Sequence, residues 1–439
     1  MTVPHPSRPS LRSVAAFQGW RAFRHRNYRL FFGGQFVSLI GTWMTAVAQS
    51  WLILQLTGNP FDLGLLTVVQ FGPVLVLGLF GGLIADALPK RPTLYVTQTV
   101  AMIVSFLLFG LAATHVVQVW QVFLLAGVMG VRNAVDMPTR QAFAVEMVGR
   151  ADIGNAVALN SAMFNGARVL GPAIAGLTIG AFGVSIAFLI DAFSFLAVLF
   201  GLFLMRQEEL RPSPIFARPT SVGGVFSNLG EGLTYVRRTP LVLLAIVIVG
   251  VVATFGINFT ILVPPLAQGN LHVGAEGYGF LMAASGVGSL LAALAIAFGG
   301  TRPIRMLIGG LVLGTAEILI GVIGSYPIDL VLMFVAGSGA ITMMATANTS
   351  IQMAVPDELR GRVMSVYTTV FAGTSPVGGL LLGGLASNAG AAAAIAWGGG
   401  VSVIAAVVGL VWLRRIRVPI KSVPVPGSAS LAGPTPAGL

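Results

Sequence analysis

Five ionisable side chains interrupt otherwise apolar stretches: Arg132, Asp136, Arg168, Asp191 and Glu317. A charge surrounded by hydrocarbon is costly. Such residues therefore pair with one another, line a wet path or carry a proton. A carboxylate can bind and release a proton there, and a neighbouring guanidinium can respond to the change. The four histidines, His5, His25, His115 and His272, all lie outside the long apolar runs, so an intramembrane proton carrier must be Asp or Glu. The chain has no Cys, which removes thiol nucleophiles and Cys-ligated metal sites. No Ser/His/Asp set, His-rich cluster or phosphate loop is recognisable. Neither an enzyme, nor a metal, nor a cofactor is expected.

The elements that carry these charges are membrane spans. Of 439 residues, 56% are hydrophobic and only 9% are charged, against about 25% charged in a soluble domain. A soluble enzyme and a disordered protein are excluded by that composition. Apolar runs separated by short polar breaks predict twelve transmembrane helices. They lie near 30–55, 61–85, 93–114, 118–140, 153–180, 183–205, 241–266, 277–299, 303–325, 328–350, 361–387 and 391–413. The expected organisation is a basic leader (1–29), an N-terminal six-helix half (30–206) and a linker (207–240). A C-terminal six-helix half (241–413) and a polar, Pro-rich tail (414–439) complete it. In the leader, Leu11, Val14, Phe17, Trp20 and Phe23 recur every third residue among arginines, the pattern of a short interfacial helix. Residues 222–238 of the linker have the pattern of an amphipathic surface helix.

Charge orients the bundle. Lys and Arg cluster in the leader, after span 2 (Lys90, Arg91), around the 4–5 turn (Arg132, Arg140, Arg150) and in the linker. Others follow span 8 (Arg302, Arg305), precede span 11 (Arg360, Arg362) and occupy the tail; Arg168 stands apart inside span 5. The loops on the other side contain none. This asymmetry places both termini in the cytoplasm and explains the net charge of +11 without nucleic acid. The expected location is a bacterial cytoplasmic membrane, crossed many times, with the lipid bilayer as the solvent of the fold. A monomer is the expected state.

The halves repeat weakly. A shift of 207 residues pairs Thr139 with Thr346, Val148 with Val355, Phe164 with Phe371, Gly166 with Gly373, Gly171 with Gly378 and Gly176 with Gly383. These pairs lie in spans 4–5 and 10–11, equivalent positions of two six-span units. Two halves related about the membrane normal are a transporter architecture, with the substrate path between them.

Local motifs carry a resemblance. The turn Gly82-Leu-Ile-Ala-Asp86-Ala-Leu-Pro-Lys90-Arg91 resembles the signature loop of the major facilitator superfamily, with Ala87 and Pro89 departing from the usual pattern. The resemblance implies that Asp86 meets the start of span 11, Arg360-Gly361-Arg362, when the cytoplasmic side closes; the helix dipole favours an acid there. Span 5 carries Gly166-Ala-Arg168-Val-Leu-Gly171-Pro172-Ala-Ile-Ala-Gly176, similar to the Gly-Pro motif of proton-coupled antiporters in that superfamily. Its small residues also suit simple tight helix packing. With Arg132-Asn133-Ala-Val-Asp136-Met-Pro138, Val355-Pro-Asp357-Glu358 and Ser38-Leu-Ile-Gly41-Thr-Trp43, the chain resembles the twelve-span drug–proton antiporter branch that includes enterobactin and macrolide exporters.

The charges now acquire candidate roles. Arg168 and Asp191 lie about ten and eight residues from the outer ends of spans 5 and 6. At ~1.5 Å per residue both are roughly 12–15 Å below the outer surface. They either form a structural salt bridge, form a pair that protonation of Asp191 releases, or do not meet. Arg132 and Asp136 either neutralise each other in the gate or serve the proton. Glu317 either couples or makes a local polar contact. If the family plan holds, Gln35, Gln49, Gln70, Asn160, Asn165, Asn258 and Tyr367 line the cavity, with Trp43, Trp51, Met163, Phe164 and Met343 supplying apolar surface. That mix suits an amphipathic small molecule. The implied function is proton-coupled export by alternating access. A uniporter or importer of the same fold is the first alternative, and a non-transporting receptor or assembly factor the second.

Overall fold

The computed structural model describes residues 20–211, 222–300 and 302–416; the interfacial leader pattern, apart from its last residues, and the tail beyond 416 lie outside the described residues. Within hydrocarbon every backbone amide must bond internally, which makes the chain helical throughout its apolar runs. The helices are α1 Arg26–Thr57, α2 Pro60–Ala87, α3 Lys90–Ala113, α4 Val119–Val148, α5 Ile153–Phe182 and α6 Val184–Phe203. A surface helix, α7 Val222–Arg238, follows. The second half holds α8 Pro240–Phe255, α9 Phe259–Pro265, α10 Gly274–Gly299, α11 Pro303–Ile323, α12 Tyr326–Ala354, α13 Asp357–Ala389 and α14 Ala391–Arg415. Among the described residues, ten helical segments are long and apolar enough to cross a membrane, with α8, α9 and the turn after them counted as one. Helices α4 and α5 span 30 residues each but are not among the ten. Arg132, Asn133 and Asp136 dilute the first, and Asn160, Asn165, Arg168 and repeated glycines dilute the second.

One expected span is broken. The run 241–266 predicts a continuous helix, but α8 stops at Phe255 and α9 restarts at Phe259. The Asn258 side-chain amide donates to the Thr254 carbonyl (2.7 Å), the acceptor its own backbone N–H would use in an unbroken helix. Pro264 and Pro265 then withhold two further donors, and the chain unwinds through Leu266–Asn270. Helix α4 also runs two turns beyond its expected end. Phe143, Ala144, Met147 and Val148 are buried there with Tyr28, Phe31, Leu94 and Leu202, which stabilises those turns.

In the first half, α1 packs along α6 on one side and α5 on the other; α3 packs on α6, and α2 on α4. In the second, α11 packs on α12 and α14, and α10 on α12. The halves meet along two seams, α2 with α13 and α5 with α10. Both seams lie at the face opposite the chain ends. A methyl group at Gly64, near the start of α2, would run into the Gly379 carbonyl near the end of α13. One at Gly279, near the start of α10, would lie 2.5 Å from the Pro172 carbonyl of α5. Such close backbone approach is what small residues permit. Trp51 of α1 stacks on Tyr278 of α10 (6.1 Å, 17°), and α9 lies among α1, α2, α10, α13 and α14 at the same end.

At the other face, where Arg26 begins α1 and Arg415 ends α14, the lower turns of the same helices separate. Gly154 of α5 and Gly361 of α13 have open space around them. Ser161 in α5 and Ser365 and Thr368 in α13 are exposed. The two halves are thus sealed at one face and apart at the basic face.

Candidate functional site

Helical spacing places Arg132, Asp136 and Arg140 on one face of α4, four residues apart. Asp136 is fully buried. Its Oδ1 accepts from Thr97 Oγ1 (2.7 Å) and Gln98 Nε2 (2.8 Å) of α3 and lies 3.3 Å from Arg132; its Oδ2 lies 2.6 Å from Arg140 Nε. Arg132 also donates to the Thr97 carbonyl (3.1 Å) and lies over the Phe195 ring (5.9 Å). Two cations and one anion are thereby tied to α3. This carboxylate has no unengaged side.

Asp191 is equally buried but differently held. Thr45 of α1 and Ser105 of α3 donate to its Oδ2 at 2.7 and 2.8 Å. Ser194 donates to its backbone carbonyl at 2.7 Å. A Cβ at Gly41 would lie 2.5 Å from its Oδ1, so α1 reaches this carboxylate only because position 41 is glycine. No cation reaches hydrogen-bond or ion-pair distance of Asp191 among the described residues.

The structure therefore does not form the Arg168–Asp191 pair. Spans 5 and 6 adjoin in sequence, but α1 lies between them and occupies the α6 face that carries Asp191. Arg168 instead lies over Trp43 of α1, 5.9 Å from the ring, with Phe164 edge-on to the same ring (5.7 Å, 68°). Glu317 is buried in the second half beside Gly256, at the break between α8 and α9, and beside Gly399 of α14; its Oε2 has no hydrogen-bond partner among the described residues.

The Gly-Pro segment does two jobs. Gly166 and Gly171 face Phe36 and Trp43 of α1, while Pro172 and Gly176 face Gly279 of α10 across the seam. Helix α5 continues unbroken through Pro172.

The signature loop's basic residues are engaged elsewhere. Lys90 lies 3.7 Å from Glu146, Arg91 donates to the Leu202 carbonyl (2.7 Å), Arg360 pairs with Asp357 (2.5 Å) and Arg362 pairs with Glu231 of α7. Gly82 and Asp86 belong to the last turns of α2, and the side chains of residues 79–87 lie outside the described residues.

The expected cavity residues divide. Asn165 is half-buried on α5 and bonds the Ser161 carbonyl (2.8 Å). The others are largely helix-packing groups: Gln70 donates to Gln49 (2.8 Å), Asn160 accepts from Tyr28 (3.0 Å) and Asn258 caps the break. Gln35 is buried with Oε1 unpartnered among the described residues, and Tyr367 is buried against Phe371 (6.5 Å, 8°). Missed by sequence reasoning were Thr45, Thr97, Gln98, Ser105 and Ser194, the polar cage of the two acids. Asp329 was missed too; it is buried in the first turn of α12 with neither oxygen bonded among the described residues. The signal was present as polar residues in apolar spans, but their partners lie on other helices. A largely apolar cavity of about 1000 Å³ lies on the flank of the first half, between α2, α3 and α4, with Pro73, Val100, Phe123 and Val131 in its wall and Thr97 and Arg132 of the Asp136 cluster at its edge.

At the basic face, Asp152 joins Arg21 (3.2 Å) and His25 (3.0 Å), tying the start of α1 to the start of α5. The hydrogen bond from His25, with Arg21 and Arg24 nearby, holds this carboxyl below the usual carboxylate range.

Two helical halves, sealed at one face and parted at the other around buried charges, define a transporter of the major facilitator type. The chain belongs to the transmembrane secretion effector family, whose model matches residues 17–426. It is 28% identical to the multidrug efflux pump Tap of Mycolicibacterium fortuitum over 80% of this chain and 87% of that protein. It is 25% identical to the staphyloferrin A transporter of Staphylococcus aureus (81% and 88% covered) and 26% identical to the enterobactin exporter EntS of Shigella boydii (90% and 94% covered). The solved nucleoside transporter NupG shares the fold, with a TM-score of 0.72 at 14% identity over 88% of this chain and 99% of that one. The bacterial Spinster homologue does so with a TM-score of 0.67 at 14% identity, over 89% and 97%. Family and relatives are membrane transporters, not enzymes.

Proposed function

We propose that the chain is a twelve-span, proton-coupled exporter of amphipathic small molecules that works by alternating access. One observation carries this: the two halves touch at the face opposite the chain ends and part at the basic face. On the positive-inside rule the open side is the cytoplasm of a bacterial cell, with both termini there. Cargo enters from the cytoplasm, and rocking of the halves about a midplane site exposes it to the other side. The names of the relatives, efflux pump and siderophore exporter, support outward transport.

Asp191 is our candidate for the proton carrier. Hydroxyl groups hold it, and they serve a neutral or an ionised carboxyl alike by rotating. Asp136 is a structural acid in this scheme, because Arg132 and Arg140 neutralise it. A proton that favours one arrangement of α1 against α6 shifts the balance between the two states. The signature loop closes the cytoplasmic side in the opposite state, Asp86 then meeting the start of α13.

The test uses the purified full-length chain in liposomes with an internal pH-sensitive dye and an imposed pH gradient. A panel of amphipathic compounds should elicit proton flux in the wild type. Asp191→Asn should lose that flux while retaining cargo binding. Cargo movement without proton flux in the wild type overturns antiport and leaves a uniporter. Unchanged flux in Asp191→Asn removes Asp191 from the role.

A further inference from the structure

We infer that the cargo is an organic anion and that Arg168, braced on Trp43, receives its negative group; this deepens the export function proposed above and rests on it. Arg168 is the cation inside the spans that no acid neutralises among the described residues. Arg132 and Arg140 share Asp136, whereas the Arg168 guanidinium lies over the face of Trp43. No acid lies within ion-pair distance of Arg168 among the described residues. A half-buried cation inside the spans, kept without a counter-ion, marks a functional site by default.

Its position on α5 says what it faces. Leu170, Ile174 and Leu177 are exposed and form the outer, bilayer-directed face of the helix. At 3.6 residues per turn, Arg168 lies roughly 180–240° around the axis from them. Ser161 and Phe164 share its face, and Asn165 lies beside it; Ser161 and Phe164 are exposed and Asn165 is half-buried. These residues face the space that opens between the halves.

The height is equally defined. A Cβ at Gly286 of α10 would lie 3.0 Å from the Arg168 carbonyl, and farther towards the sealed face α5 and α10 remain in contact through Pro172, Gly176 and Gly279. Towards the basic face, Ser161 and Phe164 are exposed, and about four turns from Arg168 Gly154 meets open space. Arg168 thus stands where the seal stops and the open space begins, the deepest point a molecule from the basic side reaches.

The chemistry follows from the parts. A guanidinium presents five donors in a planar fork that matches a carboxylate or sulfonate. Trp43 fixes one face of that fork by a cation–π contact and leaves its edges available. Trp43, with Phe164 edge-on to it, supplies aromatic surface beside the guanidinium. An anion carrying an apolar or aromatic body satisfies both elements at once; a cation meets like charge at the end of the path.

The experiment compares three probes of one shape: naphthalene-2-carboxylate, naphthalene-2-carboxamide and 2-naphthylmethylammonium. Binding to the full chain in lipid nanodiscs is read by calorimetry. The wild type should bind the carboxylate about tenfold more tightly than the carboxamide, and the ammonium least. Arg168→Gln should erase the carboxylate preference while holding carboxamide affinity within about twofold. Arg168→Lys should retain part of it, and Trp43→Leu should weaken carboxylate binding while preserving the order of the probes; both read the site if Arg168→Gln does not fold. Equal affinities, undetectable carboxylate binding, or a preference that survives Arg168→Gln overturns the inference. Transport of the same probes into liposomes separates the two levels. Export of the carboxamide with no preference for the carboxylate sinks the anion site and leaves the exporter standing. Tight carboxylate binding with no transport of any probe does the reverse.

Discussion

The two halves share a helical plan but treat charge in opposite ways. In the first, Arg132, Asp136, Arg140 and Asp191 are built into the packing of α1, α3, α4 and α6, each acid bonded by side chains from neighbouring helices. In the second, Glu317 is buried beside a helix break with an oxygen unbonded among the described residues, and glycines dominate the interfaces. Where the first half has Gly171 against Trp43, its repeat partner Gly378 packs against Thr254 and Asn258 at the break of α8 and α9. The difference teaches a division of labour. One half holds its acids in a polar frame of neighbouring helices, and the other carries a discontinuous helix where the halves meet.

The largest expected effect separates the acids. Asp136→Asn leaves buried Arg132 and half-buried Arg140 beside a neutral amide, and should cost about 3–5 kcal/mol. Glu317→Gln removes no ion pair and should cost about 1 kcal/mol or less, or stabilise. Thermal unfolding of both variants in the same detergent checks this. Equal losses would mean that Glu317 has a charged partner and that the contrast between the halves is false.

Packing gives the next comparison. Gly41→Ala drives a methyl group into Asp191 and should cost about 1–3 kcal/mol. Gly310→Ala in the second half meets its nearest neighbour at 3.6 Å, ordinary contact, and should change the midpoint little. A tolerated Gly41→Ala would show that the close approach of α1 to Asp191 contributes little to stability.

Asp191→Asn should hold stability within about 1 kcal/mol, because its hydroxyl partners can bond an amide. A loss on the scale of Asp136→Asn would place Asp191 in the structural class instead.

The smallest effect lies at the basic face. Asp152 is held below its ordinary range by His25 and Arg21, so its contribution is present at neutral pH and fades as pH falls through the folded-state value. Asp152→Asn should remove that part of the acid sensitivity and cost about 1 kcal/mol or less, in keeping with a partly exposed pair. A pH titration of the unfolding midpoint reads it.

How much was legible depends on where each residue's partner lies. Arg132, Asp136 and Arg140 occupy one helix at spacing four, so their alignment follows from sequence alone. The contact of Gly-Pro residues with both α1 and α10 was visible only as a run of small side chains. Arg168 and Asp191 matched in depth and in sequence neighbourhood, yet α1 separates them, giving one a ring and the other a hydroxyl, with a second hydroxyl from α3. The interruption at Asn258 escaped a hydropathy reading because the residues on both sides are apolar; a side chain replacing a backbone donor leaves no trace in hydropathy.

From the sequence alone came the solvent of this protein and the approximate spans, with an expected orientation and an expected halving of the chain. Those depend on transfer of each segment from water to hydrocarbon and on the side that holds Lys and Arg, both local sums over residues. Tertiary structure decided which face of each helix meets which neighbour, and with that which acid is neutralised, which is caged by hydroxyls and which cation is left for a ligand. A buried charge takes its meaning from groups within a few ångströms, and here those groups come from helices far apart in the chain.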